Sequence, residues 1–300
     1  MGFLESIQVE IEKRCLAGGG WASGSSRRAG IEASCYALMA LHDRRSLARD
    51  RAVDLLIRIQ NPDGSWPAFD GDDPEGCWTT AIAAITFHFL NGRSAALEKP
   101  IRWLLNHKGR EGHWFWKWKF RTVDRAVQFN PDKYGWPWFP CTVSWVVPTA
   151  FSLIALEQLG PRYPTEQAVR RIQLGREMLR DRACPQGGWN AGNGTVFGSA
   201  LAPHIDTTAI ALLALTDEND ATVLRGLDWL RQAWMDCSSA YSLAWSAIAF
   251  TVLRDRALED GLANLIRALY STDAPTETLS LAAIALKAAE GKGNPFEVVI

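Results

Sequence analysis

Read for polarity alone, the chain alternates two kinds of segment. One kind carries apolar positions three and four residues apart with charges between them, at 47–60, 95–107, 166–182, 220–234 and 255–270. That spacing predicts amphipathic helices with one face in water. The other kind is Ala-rich and apolar nearly all round: 33–41, 79–90, 148–156 and 207–215, with two looser copies at 242–253 and 278–286. A helix apolar on every side is buried on every side. With an N-terminal helix running to Cys15, the pattern predicts six water-facing outer helices, each followed by a buried inner one. No stretch sustains the two-residue alternation of a strand.

The joints between the two kinds also repeat. An outer helix runs into a turn closing on Gly-x-Trp in 51–66 (RAVDLLIRIQNPDGSW), 101–114 (IRWLLNHKGREGHW) and 177–189 (EMLRDRACPQGGW), with a shortened copy ending at Trp21. Trp21, Trp66, Trp114 and Trp189 therefore read as structural. Gly permits the tight turn, and Trp packs a large ring whose N–H needs a partner.

Six such pairs can stack into an open solenoid or close into an α/α toroid, and six pairs without a polar capping repeat favour closure. The reading is all-α: a single α/α-barrel domain over 1–300, broken by an insertion at about 112–145. In a toroid every outer-to-inner loop falls at one end. The inner-helix N-termini would share that face, bringing free N–H groups and partial positive charge to it.

Composition narrows the function classes. At 300 residues, 47% hydrophobic and 22% charged, the chain has the make-up of a soluble globular protein with a large core, which excludes disorder. A net charge of −1 argues against a nucleic-acid partner. The longest apolar stretches fall short of the ~20 residues of a membrane span. The first fifteen residues lack the pattern of a signal peptide. None of the six Cys forms a C-x-x-C pair, so buried thiols in a reducing, cytoplasmic compartment are expected, with peripheral membrane association left open. Trp is the outlier, 14 against 5 Tyr.

Gln60-Asn61-Pro62-Asp63-Gly64-Ser65-Trp66 matches the Q-x-x-x-G-x-W repeat of squalene-hopene and oxidosqualene cyclases. Ala68-Phe69-Asp70-Gly71-Asp72-Asp73 is similar to the A-F-D-x-D-N stretch that follows such a repeat in hopene cyclases. The chain thus resembles the terpenoid cyclase and prenyltransferase superfamily. The resemblance implies an α/α toroid, an isoprenoid or other lipid small molecule as partner, and acid-initiated carbocation cyclisation with no required cofactor. In those cyclases the middle Asp of D-x-D-D-T-A protonates an alkene. The matching stretch here is His204-Ile205-Asp206-Thr207-Thr208-Ala209. It implies Asp206 as the acid, and His204 as its polarising neighbour or as the base that ends the reaction. A plainer role is open too, since Asp before Thr-Thr-Ala makes a good helix cap. The other repeats hold Glu32, Trp78 and Val147 at this position, so the fold itself does not demand an acid there.

The insertion interleaves Trp116, Trp118, Phe120, Trp136, Trp138 and Trp145 with Lys117, Lys119 and Arg121. Aromatic faces attract cations, basic groups can hold a diphosphate, and a long loop in a compact domain is usually functional. These residues, with Glu32 on the inner-helix rim, are the expected substrate contacts. Asp70, Asp72 and Asp73 are the candidate Mg²⁺ ligands should a diphosphate be involved; a solvated turn is the alternative. Zinc is not expected. The D-G-C-Y-S-F-W zinc stretch of protein farnesyltransferase β subunits corresponds here to Ser238-Ser239-Ala240-Tyr241-Ser242-Leu243-Ala244-Trp245, which lacks both ligands. Three functions stay open: a terpenoid cyclase, Mg²⁺-dependent prenyl diphosphate chemistry on the same toroid, and non-catalytic isoprenoid binding. A homodimer is also open, because the cyclases that the chain resembles place their site between two such barrels.

Overall fold

The computed structural model describes residues 2–24, 26–72, 74–91, 97–123, 128–160, 165–216, 220–270 and 273–298. The helices follow in chain order: α1 (Phe3–Lys13), α2 (Ile31–Ala40), α3 (Leu47–Ile59), α4 (Thr79–Asn91), α5 (Glu98–Asn106), α6 (Trp114–Thr122), α7 (Val146–Leu159), α8 (Glu166–Asp181), α9 (Ile205–Leu213), α10 (Ala221–Ala233), α11 (Ala240–Val252), α12 (Ala257–Tyr270) and α13 (Thr276–Ala289). All except α6 fall into the expected outer and inner pairs. The outer helices bury one stripe, as α3 does with Ala52, Leu55 and Leu56, whereas α7 and α13 are buried along most of their length. Strands are limited to two ladders of two residues, β1 (Trp21–Ala22) with β2 (Ala29–Gly30) and β3 (Thr195–Val196) with β4 (Ser199–Ala200), both antiparallel.

The chain forms two compact units. The first comprises Met1–Pro100 and Ser238–Phe296. In it α4 packs on α2, α2 on α13, and α13 on α11, so the first and last inner helices are neighbours. Polar bonds fasten them. The ammonium of Lys287, on α13 and 1% exposed, donates to the Ala40 carbonyl at 2.8 Å and pairs with Asp43. Gln8 of α1 donates to the same carbonyl at 3.1 Å. The Arg14 guanidinium donates to the Ala274 carbonyl at 2.7 Å. The second unit comprises Ile101–Cys237 and Glu297–Ile300, with α7 packed on α8 and α9, and α9 on α10.

One joint recurs in four repeats. The indole N–H of a turn Trp donates to a carbonyl near the end of the preceding outer helix: Trp21 to Ile11 at 2.7 Å, Trp66 to Leu56 at 2.8 Å, Trp136 to Leu104 at 2.8 Å and Trp189 to Leu179 at 2.6 Å. The backbone N–H of the same Trp donates to a hydroxyl on the following inner helix, Ser34, Thr80, Thr149 or Thr208, at 2.9 to 3.1 Å. Carbonyls at a helix end lack a full set of partners within the helix; the indole bonds one of them, shared with the Arg14 N–H at Ile11 and the Arg182 N–H at Leu179, while its ring fills the joint. Glycine two positions before the Trp makes the turn at Trp21, Trp66 and Trp189, whereas at Trp136 that position is Tyr134 and Gly135 directly precedes the Trp. Gly64 has φ of +91°, and a Cβ there would sit 2.3 Å from the Cβ of Lys99 on the next outer helix.

The third joint corrects the sequence reading. Trp114 does not close a turn; it opens α6 and is 81% exposed. Its expected place belongs to Trp136, which is 2% exposed and spends its indole on Leu104. Trp136 is thereby also removed from the expected substrate contacts. The cause is the insertion, which interrupts the third repeat between the outer helix and its turn and begins with a Gly-x-Trp at 112–114, while the true turn reads Tyr134-Gly135-Trp136 and lacks that spacing. Replacing Trp136 with Ala is expected to cost about 3–5 kcal/mol, while Trp114→Ala should change stability by less than about 0.5 kcal/mol. Urea unfolding of both variants checks the assignment.

Candidate active site

The second residue of an inner helix is the position to watch. In α2, α7, α9, α11 and α13 it is Glu32, Val147, Asp206, Tyr241 and Glu277, and each is half-buried while the residues that follow in its helix are largely buried. Three of these acids or phenols lie in the first unit, where they interact. The Glu32 carboxyl is pushed up from its ordinary 4.5 to about 7, by burial first. The Tyr36 hydroxyl, one turn along α2, pulls it down, and the like charge of Glu277 pushes it up again. A helix N-terminus favours a carboxylate, but loss of water outweighs that here. Burial and the Glu32 charge push the Tyr36 phenol up as well, so it stays protonated. Oε2 of Glu277 is buried and accepts no hydrogen bond from a described residue. Behind these groups stands an aromatic wall. Tyr36 meets Trp245 edge-on at 5.7 Å between centroids, and Trp245 meets Phe296 at 5.0 Å. A carboxylic acid that keeps its proton near neutral pH, beside a second carboxyl, is a poised proton donor.

The second unit holds a pocket of about 440 Å³ lined by Trp145, Asn190, Asn193, Val196, Leu201 and His204, among others. His204 sits at the N-cap of α9, its backbone N–H bonded to the Trp189 carbonyl at 2.8 Å and its side chain making no cap bond. Two expected site residues, Trp145 and His204, therefore share one pocket. Asp206 stands one step further, in the first turn of α9. Its side chain takes no hydrogen bond or ion pair from a described residue, so it is not spent on capping the helix.

The remaining expected contacts are arranged differently. Lys117 and Arg121 both pair with Asp132, and Lys119 lies 4.8 Å from the Trp116 ring centre. Phe120 rests on Trp116 and Phe129 at 6.1 and 5.1 Å. Trp118 is exposed and Trp138 half-buried. None of Trp116, Trp118, Phe120 and Trp138 lines the pocket of His204. Among the candidate metal ligands, Asp73 lies outside the described residues. Asp72 is exposed, and the backbone N–H of Asp70 is tied to the Ala29 carbonyl at 2.9 Å. Among the described residues no group of three or more His, Cys, Asp or Glu gathers as a metal site would require.

Sequence reasoning passed over Glu277, Tyr241 and Tyr36. The signal was present: aligning the two looser inner copies with 207–215 places Tyr241 and Glu277 opposite Asp206.

No protein-family model and no curated protein sequence matches the chain. Among solved structures it is similar to a variant of the type II terpene cyclase MstE from Scytonema, in complex with its substrate geranylgeranyl dihydroxybenzoate. The identity is 18%, over 91% of this chain and 79% of that one, with a TM-score of 0.56. It is also similar to a variant of Rex8A from Paenibacillus barcinonensis complexed with xylose, at 11% identity over 99% and 95% of the chains and a TM-score of 0.57. Cellobiose 2-epimerase from Bacillus thermoamylovorans B4167 shows 11% identity over 90% and 87%, with a TM-score of 0.56. These likenesses show the fold, an all-α α/α toroid. No described helix is long and apolar enough to cross a membrane.

The raised Glu32 carboxyl ties stability to pH with a definite sign. The unfolded chain ionises this group near 4.5 and the folded chain near 7, so between those values only the folded state keeps the proton. The contribution is full below pH 4.5 and is lost as pH rises through 7. The shift corresponds to about 3 kcal/mol. Glu32→Gln keeps a neutral side chain of the same shape and deletes the titration. The variant is expected to be more stable than the parent at pH 8 by on the order of 3 kcal/mol, and equal to it at pH 4. Urea midpoints at the two pH values check this; parallel pH dependence in both proteins would refute it.

Proposed function

We propose that this chain is a terpene cyclase-like enzyme that acts on an isoprenoid, and that Glu32 supplies the proton that starts the reaction. The observation that carries the reading is the Glu32 carboxyl, held protonated to about pH 7 on an inner-helix first turn beside Glu277. The likeness to cyclase structures holding a geranylgeranyl substrate and a merosterolic acid product supports the choice of substrate class.

The step conserves atoms and charge. The Glu32 O–H bond breaks, its proton forms a C–H bond with one carbon of an alkene, and the other carbon becomes a tertiary cation. A second alkene attacks that cation, which forms the ring bond and moves the charge along the chain. The last cation loses a proton to Glu277, and passage of that proton back to Glu32 resets the site; the product is an isomer of the substrate. Ring faces such as that of half-buried Tyr241 stabilise the passing charge. Asp206, at the matching position of α9, is the alternative proton source, with His204 as the alternative base.

A second reading has its own support. Two carboxyls near one another are also the equipment of glycoside hydrolysis, and the chain is similar to a sugar-bound Rex8A.

Incubation with polyprenyl alcohols, polyprenyl aryl acids, prenyl diphosphates and xylo-oligosaccharides, with and without EDTA, separates the readings. The expected result is a cyclic isomer of an isoprenoid, formed equally in EDTA. Glu32→Gln should lower turnover about 10²–10⁴-fold with substrate affinity kept, while Asp206→Asn retains most of the rate. The reverse order would move the acid to Asp206. Loss of turnover in EDTA would favour Mg²⁺-assisted diphosphate chemistry at Asp70 and Asp72, and cleavage of the oligosaccharide would favour the second reading.

A further inference from the structure

Helix α6 is unlike every other helix among the described residues. It reads Trp-Phe-Trp-Lys-Trp-Lys-Phe-Arg-Thr, contains no aliphatic residue, and buries none of its side chains. One side is fastened to the second unit. Trp116 lies under the Arg110 guanidinium at 4.4 Å and against Phe120 at 6.1 Å; Phe120 meets Phe129 at 5.1 Å, and Phe129 lies under Arg182 at 3.8 Å. The other side is bare. Trp114 is 81% exposed, Phe115 47%, Trp118 55%, and Val123, just past the helix, 67%. Trp114 and Trp118 are one turn apart and Phe115 lies between them, 6.2 Å from Trp118 between ring centres. Three adjacent aromatic rings left in water are unusual, because soluble proteins keep such patches small unless something covers them.

We propose that α6 is a membrane-docking element that lays Trp114, Phe115 and Trp118 into the headgroup layer of an anionic bilayer. Side-chain chemistry selects this occupant. Trp is enriched where bilayer meets water, and interfacial helices pair aromatic residues with Lys and Arg. The charge around the rings is complementary to acidic headgroups. Among described residues from Lys108 to Ser144 there are six basic side chains, Lys108, Arg110, Lys117, Lys119, Arg121 and Lys133, against two acidic ones, Glu111 and Asp132. Glu111 is fully buried, so its charge does not face a ligand at the surface. The whole chain is balanced at −1, so this excess is local. A second copy of the chain fits less well. Two such helices would bring like charges together, and Lys is depleted from the centres of protein interfaces. The inference is independent of the chemistry proposed at Glu32.

Co-sedimentation of the full chain with vesicles tests it, using phosphatidylcholine alone and phosphatidylcholine mixed with phosphatidylserine. The expected result is pelleting with the mixed vesicles, weaker pelleting with phosphatidylcholine, and release as salt is raised. The triple variant Trp114→Ala, Phe115→Ala, Trp118→Ala should lose about tenfold or more in partitioning to both vesicle types. Its thermal unfolding should match the parent, since none of the three side chains is buried. Lys119→Glu should weaken binding to the mixed vesicles only. No pelleting of the parent with either vesicle, or undiminished pelleting of the triple variant, would overturn the proposal. So would a dimer in sedimentation equilibrium that the triple variant abolishes, which would assign the rings to a second copy.

Discussion

Each of the four joints hangs on one indole. Its ring N–H reaches back to the end of an outer helix, and its backbone N–H reaches forward to a hydroxyl on an inner helix. Two bonds of one residue thus fix where an inner helix begins relative to the helix before it. Both are buried, and breaking one costs more than its net strength of about 1 kcal/mol wherever it leaves a donor or acceptor without any partner, as at the indole N–H itself. The joint also fixes what the first turn presents. With the hydroxyl locked, the residue two places ahead of it is Glu32, Trp78, Val147 or Asp206, and each is held half-buried. The fold builds one address and lets the residue there vary, so chemistry can change without disturbing the scaffold.

At Glu32 that freedom is used against stability. A carboxylate in a helix first turn gains from the free N–H groups, typically 0.3–1 kcal/mol. Burial costs more than this and keeps the proton on, and the nearby Glu277 adds to the penalty. Glu277 itself leaves one buried oxygen without a bond from a described residue. A sequence chosen for stability alone would place Gln or an apolar residue at such a position. The acid pair therefore costs stability, and it is this cost that supports the proton-donor role proposed for Glu32.

The periodic features were legible in the sequence, and the non-periodic ones were not. Six outer and six inner helices follow from hydrophobic spacing, because an all-round apolar helix has nowhere to go but inside. The turn tryptophans at 21, 66 and 189 follow from Gly-x-Trp. The same motif misled at 114, because three letters do not show whether an indole reaches the end of the preceding helix. Trp136 does so across 32 residues of chain, whereas each of the other three spans ten. Lys117 and Arg121 looked available for a diphosphate; their pairing with Asp132 depends on how the insertion folds back, which no local pattern records. Glu277 was hidden for a different reason. Its repeat has lost the Gly-x-Trp turn, and only the apolar rhythm of α13 still marks its register.

The insertion can interrupt a repeat without breaking it because it is held by charge as well as by apolar contact. Arg171 and Arg182 of the α8 segment are nearly fully buried, and burial pulls both guanidiniums down to about 10. They remain charged at neutral pH, and each finds a ring: Arg171 over Trp136 at 4.0 Å, Arg182 over Phe129 at 3.8 Å. Arg182 also faces the buried Glu111 carboxylate at 3.7 Å, and Glu111 accepts the Ser144 N–H at 3.1 Å. Removing either Arg182 or Glu111 would strand the other, since a buried charge without its partner is costly, while Arg171 is held by the His107 and Gly135 carbonyls. The network closes the loop between Glu111 and Ser144 and returns the chain to Trp136 and α7 in register. It does so from beneath, through Phe129 and Trp136, and therefore leaves the far side of α6 with no packing duty. The rings at 114, 115 and 118 are not needed by the fold, and their exposure has to be explained by what the protein meets rather than by how it folds.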